Sequence, residues 1–321
     1  MKRLILTGSG FRLVRSGLAE AVIEFCFRFV WGPLPGAKQL EDYFGARSCQ
    51  VSGGHWSDWC AWRSCPAETM ARRHLSFIEF CEPYDAVELW FEPYPNELQL
   101  IFLLDFLSSH PAVAAKLQLR IVDFDLDLMG EPGMMPEPDD APAIKITAAE
   151  LKMGRAVWQA YRAATPEPLL KCLRSDLTLL PFLRRALLIL VAELPSAATG
   201  LGATELRLLE AITHYDGSSA LGIILRDRPP ERVFGELELY SILDGLAHGP
   251  TPTVVGLKRP ERQGDWHQRY LESRLWLTEF GEQVLAHKAD FSNHNPIDRW
   301  WGGTHLSNDN LWRCDLTLTR R

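Results

Sequence analysis

The sequence predicts an α/β protein: a Rossmann-like parallel sheet in the N-terminal half, followed by a mainly α C-terminal half that contains a winged-helix-like unit. Three observations predict it. Apolar runs of strand length alternate with helical patterns through residues 1–128, an order that calls for parallel pairing. A Pro- and Gly-rich stretch, GEPGMMPEPDDAP from Gly130 to Pro142, then offers little to bury and reads as an interdomain linker. Beyond it the apolar residues recur at helical spacing almost to residue 290. A chain of 321 residues that is 46% hydrophobic is too long for one comfortable core, so two domains are expected.

The elements follow in order. RLILT from Arg3 is a strand closed by a glycine turn, and FRLVRSGLAEAV has helical spacing through Phe11, Val14 and Leu18. VIEFCFRF places Ile23, Phe25, Phe27 and Phe29 on one face at period two, a strand signal that GPLPG ends as a turn. DAVELWFE is the next strand. NELQLIFLLDFLSSH reads as an amphipathic helix through Leu100, Leu103, Leu104 and Leu107. LQLRIVDFD is a further strand. Residues 129–146 are assigned to the linker and 147–202 to a helical region, opened by Thr147 and Glu150 at capping-box spacing. LPFLRRALLILVAELP is a helix stopped by Pro195, and Thr204 is the expected cap of GATELRLLEAITHY. Residues 203–290 supply three helices and a small ribbon, the winged-helix-like unit. Residues 291–321 form a tail expected to dock between the domains, with Trp312, Cys314, Leu316 and Leu318 alternating as a terminal strand.

Composition excludes several classes. The net charge of −7 shows no basic excess of the kind a nucleic-acid binder carries. The helix that would enter a groove, ELELYSILDGL, holds Glu236, Glu238 and Asp244 and no Lys or Arg, while phosphate contacts require cations. The most apolar run, ALLILVAELP from Ala186, is about half the roughly 20 residues of a spanning helix, so no membrane span is expected. The apolar start is too short for a signal peptide, and a cytoplasmic location is the expectation. The seven cysteines have no disulfide-scaffold spacing and read as buried thiols.

Four stretches carry candidate chemistry. In TGSG, Thr7, Gly8, Ser9 and Gly10 end the first strand and open a helix, where backbone N–H groups can cradle a phosphate; the nucleotide fingerprint is incomplete, since Leu13 stands at the third glycine position, and a plain tight turn is the alternative. WFEPYPNELQL places Glu92 just after a strand and Asn96, Glu97 and Gln99 at the next helix start. A carboxylate there can serve as a general base or merely favour the helix's positive end. Cys49, His55, Cys60 and Cys65 lack the close pairing of zinc ligands, and Trp56, Trp59 and Trp62 at threefold spacing read as a packing helix face, so no metal is assigned. IDRWWGGTHLS offers Asp298, Arg299 and His305 around a glycine turn, either as ligand contacts or as docking groups.

GPLPG, ELWFEPYPNELQLIFLLDFL, LPFLRRALLILVAELPSAATGLGATELRLLEAI, LTEFGEQVL and DRWWGGTHL followed by LWR occur in order over nearly the whole chain. Together they resemble an uncharacterised bacterial family of domains of unknown function with a Rossmann-like N-terminal half. Members of that family tend to begin H-x-T-N-G-D-S, so the resemblance places Leu4 at the His, Thr7 at the Asn and Ser9 at the Asp. Where they tend to carry an acidic residue before the GP turn, this chain has FCFRFVW. Of the titratable and polar groups the resemblance implies for the pocket, Glu92 and Gln99 remain, which marks a divergent member. Two readings follow. The first is an interdomain site for a small phosphate-bearing or nucleotide-like ligand, with catalysis left open and no cofactor assigned. The second is a regulatory or protein-interaction module that uses the winged-helix-like unit with a protein partner and without DNA.

Overall fold

The computed structural model describes residues 1–8, 11–25, 27, 29–47, 54–60, 62–94, 97–122, 141–226, 229, 231–259 and 266–314. Its contacts divide the chain into two compact units. The first is Met1–Phe29, Leu34–Ala163 and Glu167–Arg184; the second is Val30–Pro33, Ala164–Pro166 and Arg185–Arg321.

The first unit is built on a mixed sheet of mostly parallel strands. β1 (Arg3–Thr7), β2 (Ala21–Glu24), β3 (Ala86–Phe91) and β4 (Leu117–Ile121) run parallel, and β5 (Ile144–Lys145) adds an antiparallel edge. The order is β2-β1-β3-β4-β5. The chain leaves β1 for β2 on one side and returns past it to β3 and β4 on the other, so the winding direction reverses between β1 and β3. Such a switch point is where open α/β sheets leave a crevice beyond their strand ends.

All six residues of β3 are buried, as expected of a strand covered on both faces. On one face Ile5, Val22 and Trp90 pack with Leu13 and Val14 of α1 (Phe11–Ser16). The same face carries Glu88, only 1% exposed. Its Oε2 accepts from Trp90 Nε1 and Arg120 Nε, each at 2.8 Å, and Arg120 Nη1 donates to the Ala141 carbonyl at 2.6 Å. This buried charge is fully answered by donors, the condition under which one is tolerated. Between β2 and β3 come α2 (Ala37–Phe44), two 3₁₀ turns (Trp56–Trp59 and Trp62–Ser64), α3 (Ala67–Ala71) and α4 (Phe77–Cys81). The tryptophans expected on one packing helix face instead fall in two separate 3₁₀ turns, Trp56 and Trp59 in the first and Trp62 in the second, a geometry with three residues per turn.

The run after β2 departs from the strand expected of VIEFCFRF. The ladder stops at Glu24, and Phe25, Phe27 and Phe29 continue as a ring stack with centroids 5.9 and 5.2 Å apart. Phe25 still donates its amide to the Thr7 carbonyl at 2.8 Å, and beyond it aromatic packing takes over from strand pairing; Cys26 and Arg28 lie outside the described residues.

α5 (Glu97–Ser108) follows β3, and α6 (Pro111–Ala114) precedes β4. α5 is not amphipathic in place: Leu100, Ile101, Phe102, Leu103, Leu104 and Leu107 are all buried, because β3 and α7 (Ala148–Tyr161) both pack on it. α7 starts with the expected Thr147–Glu150 capping box, and α8 (Glu167–Leu173) follows. The close approach of α5 and α7 depends on Gly154, where an added Cβ would lie 2.7 Å from Leu104 Cβ. Gly154→Ala is expected to destabilise by about 1–3 kcal/mol, the usual cost of overpacking, read as a lower urea midpoint with an unchanged slope. An unchanged midpoint would show that the helices separate freely.

The second unit is helical. α9 (Leu183–Val191) enters it at Arg185, and α10 (Ala203–His214) touches α11 (Ala220–Arg226), α12 (Glu236–His248) and α14 (Glu279–Leu285). The cap of α10 is Gly202, not Thr204, whose buried hydroxyl instead donates to Glu193 Oε1 at 2.6 Å. β6 (Val254–Val255) pairs antiparallel with β7 (Trp276–Leu277), with α13 (Trp266–Leu271) between them in sequence. Ser219, just before α11, pairs with Arg274 beside β7. The unit ends in a hairpin, β8 (Asp298–Trp301) and β9 (Thr304–Ser307). Leu311–Cys314 form no strand; Cys314 makes a backbone bond to Pro195 at 3.0 Å in place of a ladder, and residues 315–321 lie outside the described residues. Most of the Pro-rich stretch, residues 123–140, lies outside them too. No helix among the described residues is long and apolar enough to cross a membrane.

Candidate functional site

The C-terminal ends of β1 and β3 gather one group of the sequence candidates. Thr7 closes β1 and is paired in register with Glu24 on one side and Trp90 on the other. Gly8 follows, half-buried; Ser9 and Gly10 lie outside the described residues. One step beyond β3 stands Glu92, half-buried. The chain then turns through Tyr94, a non-glycine residue at φ 74° whose ring meets Phe182 edge-on at 5.7 Å. A left-handed conformation costs a side-chain-bearing residue roughly 1–3 kcal/mol and persists where surroundings enforce it. Asn96 is outside the described residues, and α5 opens at Glu97.

Glu97 is the residue that sequence reasoning passed over as a site. It is 5% exposed, and among the described residues its Oε2 has no hydrogen-bond partner. Burial pushes its carboxyl up to about 8, so near neutral pH it is a protonated acid able to donate. Gln99, two residues on, reaches the Phe27 carbonyl with Nε2 at 3.5 Å, while its buried Oε1 has no partner among the described residues. Unsatisfied buried polar groups are rare and call for an explanation such as a functional role or an unseen partner. Two lie at the start of the helix that leaves the switch-point strand. The signal available in sequence was the placement of Glu97 in the first turn after a strand; its burial was not readable there.

The candidates at the C-terminal glycine turn lie in the second unit and have different surroundings. Gly302, at φ 58°, is the first residue of the two-residue loop joining Trp301 to Thr304, a position where glycine makes the hairpin turn accessible. Trp301 is 5% exposed and donates Nε1–H to the Leu190 carbonyl at 3.0 Å. Arg299 pairs with Glu205 at 2.9 Å and reaches the Glu193 carbonyl at 3.4 Å. Glu193, held above the usual carboxylate range by burial, accepts from the hydroxyl and the amide of Thr204 at 2.6 and 3.1 Å. Every one of these groups is answered by a protein partner. Asp298 and His305 are exposed, paired at 2.7 Å, and the His305 ring stacks on Trp300 at 4.8 Å. The geometry is that of a hairpin fastened to α9 and α10.

The Cys/His stretch is organised by side-chain bonds. His55 Nδ1 accepts the Ser57 amide at 3.2 Å, so Nε2 carries the proton and meets the Gly45 carbonyl at 2.9 Å. Both ring nitrogens are committed, and burial lowers the ring's basicity. Cys49 lies outside the described residues. Among the described residues no group of three or more His, Cys, Asp or Glu is placed to hold a metal ion.

Two cavities lie away from Glu97. One of about 630 Å³ is lined by Ile212, Asp216, Trp276, Glu282 and Leu285 in the second unit. The other, about 320 Å³, opens beside Arg3, Gly17, Glu20, Ser64 and Pro66 in the first. No family model, no curated protein and no solved structure matches this chain.

Proposed function

We propose that the first unit binds a small phosphate-bearing or nucleotide-like molecule across the C-terminal ends of β1 and β3. The observation that carries the reading is the Glu97 carboxyl: buried, without a partner at Oε2 among the described residues, and at the start of the helix that follows the switch-point strand β3. As a neutral acid it supplies a donor to a phosphoryl or carbonyl oxygen. The N-terminal dipole of the twelve-residue α5 favours the ligand's negative charge, and the turn at Thr7 and Gly8 lets backbone approach it. The order of the matching stretches along the sequence supports a divergent member of the bacterial family it resembles, in which a binding role outlasts lost titratable groups. Titration of the full chain with ATP, ADP and inorganic phosphate by calorimetry tests this. Glu97→Leu is expected to weaken binding by on the order of tenfold, the loss of one buried hydrogen bond. No heat with any of the three at millimolar concentration would dispose of the reading.

A second reading, for the second unit, is a winged-helix-like module that docks protein. The order α10, Ser219, α11, α12, β6, β7 supports it, with Ser219 pairing beside β7 as a third strand position. α12 presents Glu236, Leu237, Ser241 and Gly245 to solvent, without a cation. The groove under Trp276 is edged by Asp216 and Glu282, again without Lys or Arg, and suits a basic segment with an apolar anchor. Duplex DNA of random sequence should show no submicromolar, salt-sensitive binding; its appearance in a gel-shift titration would overturn the protein-docking assignment.

A further inference from the structure

We propose that Cys60 and Cys65 are a two-electron redox site for small hydroperoxides, with Cys65 as the thiol attacked first and Cys60 as the one that resolves it into an intramolecular disulfide. The pair belongs to neither site described above. Its two sulfurs are 3.9 Å apart. A disulfide bond is about 2.05 Å long, so closure needs about 2 Å of approach.

Backbone bonds keep the two residues close. Trp62 donates its amide to the Cys60 carbonyl at 2.9 Å, and Cys65 donates its own to Trp62 at 3.1 Å, so successive turns fold the segment back on itself. Trp62 Nε1 is anchored on the Ser57 carbonyl at 2.7 Å. Cys60 is also fixed from the other side, paired with Ile23 at the edge of β2. Both residues are thus tied into backbone bonds, Cys65 to Trp62 and Cys60 to Trp62 and β2.

The two thiols are unequal in the way the roles require. Cys60 is 8% exposed, whereas Cys65 is half-buried and flanked by Ser64 and Pro66, which line the 320 Å³ cavity. Cys65 is therefore the more accessible of the two residues to a small oxidant. The hydrogen bond from Cys60 favours the Cys65 thiolate and raises the Cys60 thiol, with burial adding to the rise. The thiolate is the nucleophile. Cys81, by contrast, is fully buried and its thiol is pushed up by desolvation.

The chemistry balances. The Cys65 thiolate attacks one peroxide oxygen; the S–O bond forms as the O–O bond breaks, and the departing hydroxide takes up a proton as water. Cys65 is then a sulfenic acid. The Cys60 sulfur attacks the Cys65 sulfur, the S–O bond breaks, and the Cys60 proton leaves with that oxygen as a second water. Two electrons pass from the two sulfurs to the peroxide, and the ladder from thiol to sulfenic acid to disulfide remains reversible by a reducing thiol.

The full-length chain, reduced and then exposed to hydrogen peroxide, is alkylated and mapped by peptide mass spectrometry. The expected product is one peptide joining Cys60 and Cys65, lighter by two hydrogens, formed on the order of ten times faster than Cys172 is oxidised, as follows from a more available thiolate. Cys60→Ser should leave a sulfenic acid at Cys65 that a cyclic 1,3-dione traps; Cys65→Ser should leave Cys60 reduced. The proposal is overturned if both thiols in the unaltered chain remain alkylatable while Cys172 is oxidised. It is equally overturned if Cys65→Ser loses its Cys60 thiol at the original rate. The mapping of the unaltered chain decides the matter even where a variant fails to fold.

Discussion

Trp301→Ala is expected to destabilise the second unit by about 3–5 kcal/mol, the usual result of truncating a buried aromatic side chain. The ring is 5% exposed, and its Nε1–H holds the Leu190 carbonyl, so truncation removes both the apolar contact and the hydrogen bond. That is a large share of a typical total of about 5–15 kcal/mol. His305→Ala should cost little, since both it and its Asp298 partner are exposed and such pairs contribute about 0–1 kcal/mol. Denaturant unfolding of the two variants beside the unaltered chain separates the cases. A tolerated Trp301→Ala with a destabilised His305→Ala would reverse the assignment of the hairpin as a fastening.

The second large effect is a dependence of stability on pH carried by Glu97. Its folded carboxyl titrates at about 8 against an ordinary value of 4.5. Below 4.5 both the folded and unfolded chains hold the proton. Between the two values the folded chain keeps a proton that the unfolded chain releases, so stability falls as pH rises. The slope is at most about 1.4 kcal/mol per pH unit. Above about 8 both states are ionised and the loss is complete. Glu193, also raised by burial, adds a loss of the same sign. The comparison with Glu97→Gln isolates the one group, because Gln cannot ionise. Unfolding free energies at pH 5 and pH 8 should fall more steeply for the unaltered chain than for Glu97→Gln; parallel slopes would show that the carboxyl is ionised in the fold.

The parallel core was legible because central strands bury both faces: Leu4, Ile5 and Leu6 carry no polar side chain, and the runs through Trp90 and Leu119 are equally short and largely apolar around the buried pair of Glu88 and Arg120. Of the turn read at the end of β1, only the bend at Gly8 falls within the described residues. Spacing misled where two geometries share a period, as with Trp56 and Trp62, where threefold recurrence fits 3₁₀ turns as well as one stretch of α-helix face. Leu100 and its neighbours looked one-sided because the sequence does not announce that α7, some fifty residues later, closes the other side. The site was legible by location, at the end of β3, and not by residue. Glu92 and Glu97 are indistinguishable in sequence, and only tertiary packing separates a half-buried carboxylate from one deprived of water.

Among the described residues the five-stranded sheet has two borders, and each is kept short. β2 has four residues, and Cys60 occupies one of its outer positions through Ile23. β5 has two, both exposed, one of them Lys145. A long bare border would recruit strands from other copies of the chain, and a lysine on a brief one discourages it. The hazard is greatest during synthesis, because parallel pairing joins distant segments and forms late. The placement of these two small strands therefore bears on yield: lengthening β5 with apolar residues should shift the expressed chain toward inclusion bodies.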